Sequence, residues 1–226
     1  MRQLFAVAKV PFVDVRLKFP SGLDPYKKAA MGDASPLLGT DLCPAVTAPD
    51  GTHCVETADV MRFVGQRVCL APPDGSTEDA KAMEVTLLMQ TAMNQVFYPL
   101  FKPMIVKHIF ASEFGGALRL AARAMVGSES TFLPAPAAKL DEVLAHLEAV
   151  LDASGGPYCC GAQLSYADVS VCAILTEVLA YQCFDRPALL RPRPKLAALL
   201  TDMEARTKPW MTYRVRAHQL AITNSS

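Results

Sequence analysis

The sequence carries no excess charge of either sign: 22 Lys and Arg stand against 22 Asp and Glu. Nor is there a dense basic cluster. The basic residues between Arg186 and Lys208 are spread among prolines and leucines, as on a solvated helix surface. A dedicated nucleic-acid binder needs a basic face to meet phosphates, so no nucleic-acid partner is expected. The seven cysteines, Cys43, Cys54, Cys69, Cys159, Cys160, Cys172 and Cys183, include no CxxC pair. The adjacent Cys159-Cys160 suits neither a zinc knuckle nor an ordinary disulfide. The cysteines read as small buried hydrophobes in a reducing compartment. His53, His108, His146 and His218 show no metal-ligand spacing, so no metal site is expected. No run is long and apolar enough to span a bilayer, and no membrane contact is expected. The opening "MRQLFAVAKVPF" is broken by Lys9 and Pro11 and is too short for a signal peptide. A cytoplasmic location follows as the expectation. No internal repeat is visible.

What is present is a large apolar reserve, 51% of 226 residues. It is densest in "GAQLSYADVSVCAILTEVL", residues 161–179. From Tyr166 to Leu179 the polar side chains are Asp168, Ser170, Thr176 and Glu177. A helix apolar on nearly all sides must be surrounded by protein or lipid. This one is too short for a bilayer, so it is expected at the centre of an all-α core. Its start, Ser165-Tyr166-Ala167-Asp168, predicts a reciprocal cap. Ser165 would accept the N–H of Asp168, and the Asp168 carboxylate would reach back to the N–H of Ser165.

The two halves follow different patterns. Up to about residue 70 the order reads helix, strand, helix, strand, strand, helix. "MRQLFAVAK" has helical spacing at Leu4, Phe5, Val7 and Ala8. "FVDVRLKF" alternates Val13, Val15 and Leu17 with Asp14, Arg16 and Lys18, a half-buried strand. "DPYKKAAM" is a short helix. "CPAVTAPDGTHCV" is two β segments joined at Pro49-Asp50-Gly51. "ETADVMRFVGQ" is the closing helix. Residues 71–75 are a linker. From Ser76 to about residue 220 every segment is helical, and residues 221–226 are a frayed tail. Ser76 and Asp79 repeat the capping pattern, and Pro99 and Pro103 should end or kink that helix. A stripe of Leu140, Val143, Leu144, Leu147, Val150 and Leu151 predicts a helix stopped by Gly155-Gly156-Pro157. "EFGGALRLAARAM" is a weaker helix. "RPRPKLAALLTDMEART" and "PWMTYRVRAHQ" read as two further segments.

A small α/β half, a Pro-Gly linker and an all-α half round a capped apolar helix resemble the cytosolic glutathione S-transferase family. Three stretches carry the resemblance, which covers nearly the whole chain. "GAQLSYADVSV" looks like the family's core-helix capping motif. "CPAVTAPDGTHCVETADVMRF" looks like its cis-proline, hairpin and third helix. "RPKLAALLTDMEARTKPWMTY" looks like its closing helix. The beginning, "RQLFAVAKVPFVDVRL", is similar to the sigma-like classes. The resemblance implies an incomplete thioredoxin-like domain at residues 1–70 and an all-helical C-terminal domain at 76–220.

It also implies a chemistry. Glutathione has two carboxylates and one ammonium, so its site needs anion partners at both ends. Cys43-Pro44 matches the family's residue before the cis-proline, where exposed main-chain groups pair with the cysteinyl part of glutathione. Glu56-Thr57 matches the pair at the start of the third helix, where a hydroxyl and a helix N-terminus hold the γ-glutamyl carboxylate. Lys28 falls near the basic residue for the glycine carboxylate. Asp24 stands where sigma-like members carry Trp. An electrophile pocket would draw on Phe97, Tyr98 and Phe101, for which aromatic packing within the helix bundle stays open. Gln90 and Asn94 occupy the region where sigma-like members lend an acidic residue to the partner subunit. Pro44 opening a hairpin in trans, and Thr57 serving only as a helix cap, also stay open.

The family's first strand carries its activating Tyr, Ser or Cys. Met1 falls inside what the resemblance makes the first helix, with Arg2 at that helix's arginine. The first strand is therefore expected to be missing, and no catalytic residue is assigned. Two origins stay open: an incomplete gene product, or a derivative that gave up catalysis and rearranged the sheet. The expected function is conjugation of glutathione to small electrophiles, or their isomerisation, by a homodimer. The alternative is a non-catalytic interaction or structural module, as in elongation factor gamma subunits or lens crystallins.

Overall fold

The computed structural model describes residues 2–14, 21–38, 44–99, 134–179 and 184–223. It begins with helix α1 (Arg2–Ala8), which buries Gln3 and Leu4. Lys9 takes a left-handed backbone, φ 56°. The Val10 N–H then donates to the Phe5 carbonyl at 3.1 Å, which closes the helix in a Schellman-type stop. The chain folds back so that Phe12 stacks on Phe5, with ring centroids 4.7 Å apart. Asp14 pairs with Arg2 at 3.0 Å. The strand expected from Phe12 to Phe19 is not found in its described part. Val13 and Asp14 are coil, and Val13 is 89% exposed. The Phe12 stack and the Arg2–Asp14 pair fix this segment from its helix side, with no ladder partner among the described residues. Residues 15–19, the rest of that strand, lie outside the described residues.

The predicted helix "DPYKKAAM" is divided. A 3-10 turn (Ser21–Tyr26) contains Pro25, and helix α2 (Lys28–Met31) follows. Proline lacks the N–H that an α-helix would need at that point. Strands β1 (Ala45–Thr47) and β2 (His53–Val55) form the expected antiparallel hairpin, with Ala45 opposite Val55 and Thr47 opposite His53. Asp50 Oδ1 accepts the Thr52 N–H at 2.9 Å, and Gly51 supplies the positive φ of 83° that the turn needs. Val46 and Cys54 lie on the face packed against the core.

Helix α3 (Thr57–Arg67) buries Ala58, Val60, Met61, Val64 and Gly65. Helix α4 (Thr77–Ala92) follows a short connection and widens into a π-turn at Met93–Phe97. The Tyr98 N–H donates to the Met93 carbonyl, five residues back, just ahead of Pro99. Where an end or a kink was expected, the helix widens ahead of Pro99, and Tyr98 and Pro99 remain helical; Pro103 lies outside the described residues. Helix α5 (Pro134–Ala153) buries the expected stripe apart from half-buried Val150. Helix α6 (Tyr166–Leu179) buries all its residues except Ala173, Thr176 and Glu177, which are half-buried. Short α7 (Arg186–Leu190) and long α8 (Pro194–Thr223) complete the chain.

The two closing segments read from sequence are one helix. Pro209 lies inside α8, although an interior proline costs about 3 kcal/mol. The first half of α8 is anchored strongly. Its N-terminal N–H groups, from Lys195 and Leu196, donate to the Glu148 carboxylate of α5 at 3.0 and 2.8 Å. Leu196, Leu199, Leu200 and Met203 then enter the core.

The core sits around α6. It packs against α4 most extensively and also against α1, α3 and α8. Gly65 permits the approach of α3: a Cβ there would stand 2.8 Å from Tyr166 Cδ1. The Tyr166 N–H donates to the Leu70 carbonyl at 2.7 Å. The small α/β half is thus seated directly on the central helix. No helix among the described residues is long and apolar enough to cross a membrane. None of their His, Cys, Asp and Glu residues group into a metal site. The weaker helix at 113–125 lies outside the described residues.

Candidate functional site

Pro44 precedes β1, and Glu56 and Thr57 lie where β2 passes into α3. The ladder ends with Ala45 paired to Val55, and Pro44 and Glu56 are the next residues along each strand. Thr57 then opens α3. Glu56 has an exposed side chain and a left-handed backbone, φ 70° and ψ 135°. Such a backbone costs a glutamate about 1–3 kcal/mol and persists where the surroundings impose it. Its carbonyl accepts the Val60 N–H at 2.8 Å, so the helix begins abruptly at this kink. The first-turn N–H groups of α3 follow directly on this kink. Those groups have no intrahelical acceptors and carry the positive end of the helix dipole. An anion beside Thr57 would meet a hydroxyl and these donors together.

Below this point a charged joint fixes α3 to α4. Arg62 donates to Asp79 Oδ1 at 3.2 Å and Oδ2 at 2.6 Å, and it also pairs with Asp74. Asp79 accepts the Gly75 N–H at 3.3 Å. Its own N–H donates to Ser76 Oγ at 3.1 Å. One limb of the second predicted capping box therefore forms, and the other is diverted to Arg62 and Gly75. Buried Tyr166 lies beside this pair. Desolvation, then the Asp79 charge, push its phenol well above the ordinary tyrosine range.

The cap of α6 also differs from the sequence expectation. Ser165 does not accept from the Asp168 N–H; its hydroxyl donates to Asp168 Oδ2 at 2.8 Å. The Ser165 N–H donates to the same oxygen at 2.8 Å, which is the expected return limb. The other oxygen, Oδ1, accepts the Cys159 N–H at 2.7 Å. The carboxylate is the hub because three donors converge on it and draw the hydroxyl inward. Asp168 is wholly buried. Desolvation raises its pKa above the ordinary carboxylate value, while the three donors pull the other way.

The remaining candidates are dispersed. Lys28 opens α2. Asp24 is exposed and pairs with Lys27 at 2.8 Å. Phe97 and Tyr98 meet edge-on, with centroids 5.7 Å apart. Phe97 packs against the core, as the bundle-packing alternative has it, whereas Tyr98 is 43% exposed. Gln90 is half-buried and Asn94 exposed. Cys43 and Phe101 lie outside the described residues, and so does the geometry of the Cys43–Pro44 bond. A cavity of about 380 Å³ between Gly156–Tyr158 and the Lys195–Asp202 face of α8 touches none of the candidates. The left-handed Glu56 and the Arg62–Asp79 joint were missed from sequence. Glutamate has no preference for positive φ, and nothing local ties Arg62 to a residue 17 positions later.

Residues 136–208 match the family described as glutathione S-transferase, C-terminal domain. Solved structures match over nearly the whole chain. A glutathione S-transferase from Ascaris lumbricoides superposes with a TM-score of 0.67 at 21% identity, covering 94% of this chain and 89% of that one. The chain has the glutathione S-transferase fold. A nematode-specific glutathione S-transferase of C. elegans gives a TM-score of 0.65 at 18% identity, with 94% and 89% covered. Prostaglandin synthase D of Nilaparvata lugens gives 0.53 at 17%, with 94% and 90% covered. No curated protein sequence matches the chain. The glutathione S-transferase fold here has a small sheet, two-stranded among the described residues, on an all-helical partner.

Proposed function

We propose that this protein binds glutathione at the mouth of the hairpin and conjugates its thiolate to small electrophiles, or isomerises them. The observation that carries the reading is the strained turn at Glu56. It carries a positive φ directly between β2 and the start of α3. In this reading Thr57 and the first-turn N–H groups hold the γ-glutamyl carboxylate. Main-chain groups of Cys43 and Pro44 hold the cysteinyl part. Lys28 meets the glycine carboxylate, and Phe97, Tyr98 and Phe101 border the electrophile. The structures with this fold include transferases and a prostaglandin synthase, which supports conjugation or isomerisation as the reaction class. The thiolate is the nucleophile, so donors aimed at the sulfur must lower its pKa. No residue of this chain is assigned that task. The reading includes a homodimer in the cytoplasm, and sedimentation velocity would report a species of twice the chain mass.

The wild-type chain should be retained on glutathione resin and eluted by free glutathione. Thr57→Ala should weaken glutathione binding several-fold in calorimetry while leaving the urea midpoint nearly unchanged. A folded wild-type chain that passes through the resin would remove both the binding and the catalytic claims. Retention without turnover of any electrophile would favour the non-catalytic module.

A further inference from the structure

The hairpin between α5 and α6 carries two adjacent thiols at its tip. Tyr158 and Gly161 exchange both backbone hydrogen bonds, each 3.1 Å. Cys159 and Cys160 are therefore the two loop residues of a turn whose ends are pinned. Cys159 is fully buried, and its N–H is the one held by Asp168. Cys160 is half-buried. Its Sγ donates to the Glu78 carbonyl in the first turn of α4 at 3.4 Å. The same sulfur lies 3.9 Å from Ser165 Oγ. Both residues therefore border the Ser165–Asp168 cap, and Cys160 links that cap to α4.

We propose that this pair is a redox-sensitive clamp: a low-molecular-weight disulfide such as glutathione disulfide oxidises Cys159 and Cys160 to a vicinal disulfide, which frees Cys160 from Glu78 and loosens the α4–α6 joint. Cys160, the thiol within reach of solvent, loses its proton to water and attacks one sulfur of the small disulfide. That S–S bond breaks, one thiolate leaves, and Cys160 becomes a mixed disulfide. Cys159 then attacks the Cys160 sulfur. Its proton passes to the neighbouring Asp168 carboxylate and on to water, and the second thiolate departs. Two protein thiols lose two electrons, and the small disulfide gains them and leaves as two thiols. Adjacent Cα atoms lie about 3.8 Å apart, closer than the usual disulfide span of roughly 4.4–6.8 Å. Closing the ring must therefore twist the turn, and the twist draws Cys160 Sγ away from the Glu78 carbonyl. Burial raises the pKa of both thiols, and the Asp168 charge adds to it. The exchange is accordingly slow, and the clamp answers to a sustained redox poise.

The clamp does not depend on the glutathione-binding reading. Its test equilibrates the native chain in glutathione/glutathione disulfide buffers of stepped potential. Samples are acid-quenched, alkylated and peptide-mapped, and urea unfolding is followed in parallel. The expected result is loss of two hydrogen masses from the Cys159–Cys160 pair. The urea midpoint should fall over the same range of potential. Cys160→Ala should fold and show a midpoint that stays flat over that range. The proposal is overturned by a pair that remains alkylated in every buffer, or by a mixed disulfide at Cys160 that never resolves. It is equally overturned by oxidation without a change in midpoint, or by a Cys160→Ala chain whose midpoint still falls.

Discussion

Asp168→Ala should cost about 3–5 kcal/mol, because three donors lose their acceptor at once and two of them are buried main-chain groups. The Cys159 N–H, the Ser165 N–H and the Ser165 hydroxyl all end on this carboxylate. Domains of this kind hold a margin of roughly 5–15 kcal/mol, so the variant should unfold at a much lower urea concentration. Asp168→Asn keeps the shape and one acceptor oxygen, and its loss should be clearly smaller. The pH dependence has a definite sign. Burial raises the folded-state pKa of Asp168 above its unfolded value. The folded chain then binds that proton more tightly than the unfolded chain. Stability from this group is fully present below the unfolded carboxylate pKa and declines as pH rises through the folded value. The cost of Asp168→Ala should therefore be greatest in acid and shrink towards neutrality. Urea titrations at stepped pH measure it. A loss below about 1 kcal/mol would show that the hub carries little of the fold.

Gly156→Ala should cost about 3 kcal/mol, the upper end for overpacking. A Cβ there would stand 2.2 Å from the Gly161 carbonyl oxygen and 2.8 Å from the Ala162 nitrogen. Both are backbone atoms, so no side chain can swing aside. The turn itself must shift, and it carries the Cys159 N–H that Asp168 holds. Gly155→Ala is the matched control. Its φ is 72°, yet nothing lies within 4 Å of an added Cβ. It should lose only the left-handed backbone preference, about 1 kcal/mol. Equal thermal shifts for the two variants would mean that conformation, not space, governs this turn.

Where the sequence could be read, it was read through contacts close along the chain. The density of apolar residues from Tyr166 to Leu179 announced a buried central helix, and Leu140 to Leu151 announced a stripe. Pro49-Asp50-Gly51 announced its hairpin because that turn's geometry is local. The capping boxes were half legible. Ser76 accepts from Asp79 as expected, but Arg62 and Gly75 take up the carboxylate. At Ser165 the return limb formed, while the hydroxyl donates to Asp168 instead of accepting, and the Cys159 N–H, from outside the motif, takes the other carboxylate oxygen. Alternation from Phe12 to Asp14 has no strand to match it among the described residues, because it records which residues could face a sheet and not the pairing itself. Pro209 misled in the other direction. A proline's local cost was outweighed by the packing of Leu196 to Met203 and the Glu148 cap of α8. For the candidate site, the family resemblance pointed to Pro44, Glu56 and Thr57. The backbone kink that would make them useful left no mark in composition.

The close seating of α3 on Tyr166 has a consequence for how this chain could be divided. With two three-residue strands described, the α/β half has little interior of its own. Leu4, Val60, Met61 and Val64 share one continuous core with α4, α5, α6 and α8. Each half completes the other's interior, so a cut between them would wet both. The short connection between α3 and α4 is therefore not a place where the molecule comes apart.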